Sequence, residues 1–194
     1  VEKRQSYLIS KLDTRSGENG EPIIEGYFSV FGQETEIWEG MYEQIAEGAF
    51  TKYLNNDIRC LFNHNSANVM GRTTAGTLIL KEDSHGLFGS LKVNTDDRMA
   101  MDVYARVKRG DISGCSFGFF PVVEEWIDGP HNTTHWTVKE ADLREVSICT
   151  FPAYPQTEIT ARASMRNNHC EELRKKTKKM LKSRLEEKKK CLKY

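Results

Sequence analysis

Apolar residues recur along this chain at two periods, and the change between them separates strands from a helix. Tyr7-Leu8-Ile9 and the run Ile23-Ile24-Glu25-Gly26-Tyr27-Phe28 flank the turn-forming stretch Ser16-Gly17-Glu18-Asn19-Gly20, which predicts two strands joined there. Residues 39–46 predict a further strand, 49–54 a short helix ending at Asn55-Asn56, and 58–62 a compact apolar strand. Thr77-Leu78-Ile79-Leu80 and Leu87-Phe88-Gly89-Ser90-Leu91 stand either side of Asp83-Ser84-His85-Gly86, a hairpin turn by composition. Then the period lengthens. Met99, Val103 and Val107 recur every four residues with Ala100 and Tyr104 beside them, which makes one apolar helix face. Thr95 is the expected cap, Asp96 and Asp97 suit the first turn, Arg106, Lys108 and Arg109 suit the last, and Gly110 ends the helix.

Two more strands are expected at 116–123 and 146–151, with a Gly-Pro hairpin around 126–137 between them. Phe151-Pro152-Ala153-Tyr154-Pro155 carries two prolines and terminates the last strand. Beyond Ser164 the chain turns Lys- and Glu-rich, with a thin stripe of Leu173, Met180, Leu181, Leu185 and Leu192. That stripe suits a helix that is mobile or dependent on a partner.

Charge draws the same boundary. The 194 residues balance at net zero, but residues 165–194 hold twelve Lys or Arg against four Glu. The other sixteen basic and twenty-four acidic residues leave residues 1–164 at −8 against +8 for the tail. Two segments of opposite sign predict a body, 1–164, and a basic tail, 165–194. The body is mainly β with some α, and the length allows one domain with a real core.

With 38% hydrophobic and 29% charged residues, the composition is that of a soluble globular protein. No run reaches the roughly 18 apolar residues a membrane helix needs, and residues 1–10 carry no apolar signal-peptide core. A cytoplasmic location is expected. Five widely spaced cysteines with no C-x-x-C pair predict free thiols rather than disulfides or a zinc ribbon. His131 and His135 lie four apart but in a hairpin composition with no third ligand evident, so no metal is expected.

Three segments carry residues suited to acyl transfer. Leu61-Phe62-Asn63-His64-Asn65 sets a histidine where a strand gives way to a polar stretch. Gly114-Cys115-Ser116-Phe117-Gly118-Phe119 sets a serine among small and aromatic residues, and Leu143-Arg144-Glu145-Val146-Ser147 sets a carboxylate in an apolar strand. A serine hydroxyl needs a base within hydrogen-bond reach to attack a carbonyl. Histidine titrates near neutrality and can take and return that proton. A carboxylate behind the imidazole fixes its tautomer and stabilises the imidazolium. Spacing supplies the residue types without the distances.

Four ordered segments resemble those of the tailed-bacteriophage prohead (procapsid) maturation serine protease family. Phe62-Asn63-His64-Asn65 with Val69-Met70-Gly71-Arg72-Thr73 resembles its histidine motif, and Asp83-Ser84-His85-Gly86-Leu87 its turn before the next strand. The run Lys108-Arg109-Gly110-Asp111-Ile112-Ser113-Gly114-Cys115-Ser116-Phe117-Gly118-Phe119 resembles its serine motif. Leu143-Arg144-Glu145-Val146-Ser147-Ile148-Cys149 with Phe151-Pro152-Ala153-Tyr154-Pro155 is similar to its C-terminal signature. The resemblance covers roughly residues 23–163 and implies a closed, mostly antiparallel β-barrel with surrounding helices, related to the herpesvirus protease assemblin. It implies a peptidase that cuts scaffold, the N-terminal segment of the capsid protein and itself inside the assembling shell. Ser116 matches the nucleophile, His64 the base and Glu145 the acidic position. Ser113 is the alternative nucleophile under a different strand register, and Asp142 the rival carboxylate. Residues three apart in a strand face opposite sides, so Asp142 and Glu145 share a site only across a bulge.

No cofactor is expected. Capsid protein and scaffold are the expected partners, with a homodimer among the expectations because the herpesvirus relatives pair through helices. The tail's lysines suit phosphate contacts, but they lack interleaved aromatic residues, and nucleic acid is not an expected partner. The rival reading is a catalytically silent capsid-assembly component built on the same barrel.

Overall fold

A computed structural model describes residues 4–8, 12–17 and 20–151. Its centre is a long antiparallel hairpin of β10 (Gly114–Asp128) and β11 (Thr134–Cys149). β1 (Arg4–Leu8) lies antiparallel along the other side of β10. Two strands share the free side of β11: β5 (Met41–Ile45) runs parallel to its beginning, β6 (Arg59–Phe62) parallel to its end. β4 (Thr35–Trp38) pairs with β5 and β7 (Asn65–Arg72) with β6, both antiparallel, to complete a seven-stranded sheet. A second, antiparallel sheet runs β2 (Asp13–Ser16), β3 (Pro22–Val30), β9 (Gly86–Lys92), β8 (Leu78–Glu82).

The first six residues of β10 are all buried, so both faces of this part of the sheet are covered. Phe117 and Phe119 lie 5.4 Å apart by ring centroid, and Phe117 meets Phe50 edge-on at 5.3 Å. The strand's period of two gives Ser116 and Gly118 to the opposite face. Each phenyl ring buried here contributes roughly 1.5–3 kcal/mol of apolar transfer. Farther along, Val122, Val123 and Ile127 are exposed. That outer arm is held by the cross-strand pair Trp126 and Trp136, stacked at 4.1 Å, the kind of aromatic contact that fixes register.

The two sheets meet at close approaches. Cys115 Sγ lies 2.9 Å from the Tyr27 carbonyl of β3. On β7, a Cβ at Gly71 would stand 2.4 Å from Leu91 Cδ1 of β9, so a larger residue there would require the buried Leu91 side chain to shift. The helix α1 (Arg98–Arg109) packs on β2 and β3 through buried Ala100, Val103 and Val107.

Several expectations need correction. Asp97, not Thr95, caps α1: its carboxylate accepts from the Met99 and Ala100 amides at 2.9 and 3.2 Å. Thr95 stands too far before the first helical residue for this role. Gly110 ends the helix at φ 86° as expected. The turn at 17–21 joins β3 to β2, while Tyr7 and Leu8 belong to β1 in the other sheet. β2, β4 and β7 carry no clear apolar alternation because they lie at sheet margins, and the period alone missed them. The described residues are mostly β with one α-helix, and no ladder among them joins the sheets into the expected closed barrel. The prolines at 152 and 155, Cys170, Cys191 and the basic tail at 165–194 lie outside the described residues. Among the described residues no helix is long and apolar enough to cross a membrane.

Candidate active site

The β6–β7 hairpin closes through two residues, Asn63 and His64, with Phe62 paired to Asn65. Both have positive φ, 54° and 56°, as a type I′ turn requires to match the twist of its strands. Glycine is usual at the second position. A histidine there costs about 1–2 kcal/mol of backbone strain, which three hydrogen bonds from Asn63 offset. Its amide donates to the Ile148 carbonyl at 2.9 Å, its Oδ1 accepts from the Thr150 amide at 2.9 Å, and its Nδ2 donates to Thr150 Oγ1 at 3.2 Å. These bonds bind the turn to the end of β11.

They bring His64 beside Glu145, whose Oε1 lies 2.7 Å from His64 Nδ1. The pair is nearly enclosed, with side chains 14% and 4% exposed. An ionised carboxylate only accepts hydrogen bonds, so in this contact Nδ1–H donates to Oε1. Glu145 Oε2 accepts a second bond, at 2.6 Å, from Ser147 Oγ. Ser147 stands directly across from Ser116 in the β10–β11 ladder. Such cross-strand neighbours have Cβ atoms about 4.5–5.5 Å apart on one face. Gly118, with no side chain, faces Glu145 in the same ladder. Ser116, Glu145 and Ser147 therefore share one face of the sheet, and His64 reaches it from the adjoining turn. Ser116 and Ser147 are fully buried.

The two rivals stand elsewhere. Ser113 is exposed in the connection from α1, before β10 begins. Asp142 lies across a bulge from Glu145: the partner of β10 jumps from Glu145 to Leu143 and passes over Arg144. The bulge returns Asp142 to the Ser116 side, opposite Phe120. Its carboxylate, however, accepts from Arg144 at 2.6 Å and from Asn56 at 3.2 Å.

Cys60, Cys115 and Cys149 are buried free thiols. Burial, reinforced by neighbouring acidic groups, pushes Cys149 up to about 12 and raises Cys60 further, so neither competes as a nucleophile. His85 is exposed in its turn, edge-on to Tyr27. His131 sits exposed at φ 57°, while His135 pairs with Glu34 at 2.8 Å and stacks on Tyr42. Among the described residues no three His, Cys, Asp or Glu side chains gather as metal ligands. Sequence reasoning quoted Asn63 and Ser147 within motifs but gave them no role. For Ser147 the signal was its i, i+2 spacing from Glu145, which sets both on one strand face.

Residues 10–172 match the profile of the family described as caudovirus prohead serine protease. The prohead protease of Enterobacteria phage HK97 is 30% identical over 154 residues, which take in 77% of this chain and 64% of that protein. The chain thus spans just under two thirds of that relative's length. The bacteriophage T4 capsid assembly protease, gp21, aligns at 13% identity with a TM-score of 0.47, over 77% of this chain and 99% of that one. With its histidine turn, serine strand and carboxylate all inside the matched span, the chain belongs to the caudovirus prohead serine protease family.

Proposed function

We propose that the chain is a serine endopeptidase of phage procapsid maturation, with Ser116 as nucleophile, His64 as general base and acid, and Glu145 as the carboxylate behind the imidazole. The observation that carries this is the 2.7 Å contact of His64 Nδ1 with Glu145 on the sheet face where Ser116 stands. Ser116 Oγ attacks the peptide carbonyl carbon as its proton passes to His64 Nε2, while Glu145 stabilises the imidazolium. Collapse of the tetrahedral intermediate breaks the C–N bond, and His64 returns the proton to the leaving amine. Water, deprotonated by the same imidazole, then hydrolyses the acyl-enzyme. Such base catalysis supplies about 10²- to 10⁴-fold of rate, and no step calls on a metal or cofactor.

The substrates are the scaffold, the N-terminal segment of the capsid protein and the chain itself, cut inside the procapsid in the host cytoplasm. The active unit is a homodimer. Residues 1–164 form the peptidase, and the basic tail, 165–194, holds the enzyme against acidic scaffold before maturation.

A second reading, a silent capsid-assembly component, draws support from the complete burial of Ser116. Incubation of wild type, Ser116→Ala and Ser113→Ala with the cognate capsid or scaffold precursor, followed by mass spectrometry, separates the two. Defined cleavage by wild type and Ser113→Ala, but not by Ser116→Ala, is expected, and protein ending at residue 164 should still cut. Absence of cleavage by wild type inside assembled procapsids supports the silent component instead.

A further inference from the structure

We propose that Ser147 is a positioning residue for the site, holding the Glu145 carboxylate so that Oε1 faces His64. The inference rests on the triad read above and extends it. Glutamate reaches the imidazole through three rotatable bonds, so its carboxylate plane is not set by the strand alone. Two anchors define that plane: Oε1 meets His64 Nδ1 at 2.7 Å, and Oε2 accepts from Ser147 Oγ at 2.6 Å. Both residues of the second bond are buried, so water does not compete for it, and a lost donor there is not replaced cheaply. The strand supplies the geometry at no extra cost in chain, since residues two apart project from the same face.

Ser147 also stands opposite Ser116, which raises the question of whether it is itself a nucleophile. Its hydroxyl donates a hydrogen bond to a carboxylate whose other oxygen accepts one from His64 Nδ1. Ser147 is thus bonded to the orienting end of the relay, away from the basic Nε2, and acts through Glu145.

The test is a double-mutant cycle on cleavage of a precursor-derived peptide, with kcat and KM for wild type, Ser147→Ala, Glu145→Gln and the double variant, and a thermal melt for each. The expected result is that Ser147→Ala lowers kcat about ten- to a hundredfold with KM within about twofold. In the Glu145→Gln background the same change alters kcat by less than about twofold, because the group it positions is already disabled. Should Ser147→Ala fail to fold, Ser147→Cys carries the same prediction, being close in shape and a weak donor. An equal fold-loss in both backgrounds, or a loss confined to KM, overturns the positioning role while leaving the triad intact. Wild-type kcat in Glu145→Gln overturns both together.

Discussion

Asn63 and His64 show how much of this site depends on single residues in unusual positions. A left-handed histidine stands in a two-residue turn where glycine would be easier, and Asn63 ties that turn to β11. The neighbouring thiols are silent by contrast. With Cys149 pushed up to about 12 by burial, the folded protein at pH 8 should react with iodoacetamide at Cys60 and Cys149 at least about a hundredfold more slowly than the urea-unfolded chain, read by peptide mass spectrometry. Labelling of either at the unfolded rate would contradict the packing described. His64, Ser116 and Glu145 could be named as candidates because three acyl-transfer groups fall in motif order, and the contact of His64 with Glu145 is what the structure adds. Asp97 as the cap and Ser147 as a donor could not be named, because hydroxyls and carboxylates are common and only backbone geometry selects among them.

Among the elements, the β6–β7 hairpin carries His64 at its closed end and an ion-pair clamp at its open end. Arg72 Nε and NH2 bond the two oxygens of Asp57 at 2.5 and 2.6 Å, with Arg59 at 3.2 Å. Bonding to Arg72 holds the Asp57 carboxyl at about 2, below its usual 3.8. A carboxyl depressed on folding stabilises the native state above its unfolded value and loses that contribution as pH falls through the folded one. Asp57→Asn should therefore lower the thermal midpoint by a constant, small amount above about pH 5. The gap should close between pH 3.8 and 2, as measured by circular dichroism melts. A gap independent of pH would show that the clamp acts through shape and not charge. The central strands, the β8–β9 hairpin and α1 were legible because each buries an apolar stripe of the right period. β7 was not: its first residues, Asn65-Ser66-Ala67-Asn68, are largely exposed, and after Asn65 the ladder to β6 resumes only at Val69.

Across the molecule, the β10–β11 hairpin joins the parts that the sequence spreads from His64 to Ser147. The parallel docking of β6 on β11 sets the imidazole turn beside the carboxylate, and the antiparallel register sets Ser116 opposite Ser147. Long-range pairing of this kind was illegible from periodicity, which marks strands without saying which of them meet. The closed barrel anticipated from family resemblance is not reproduced by the ladders described, and the two sheets approach each other at Cys115 and Gly71. The most direct measurement is labelling with a fluorophosphonate, in which a P–O bond forms at the activated serine, fluoride leaves and the proton passes to the base. Peptide mass spectrometry should find a single adduct on Ser116, absent in Ser116→Ala and at least about a hundredfold slower in His64→Gln. An adduct on Ser113, or no adduct under conditions where the protein cleaves its precursor, would contradict the assignment of Ser116 as the nucleophile.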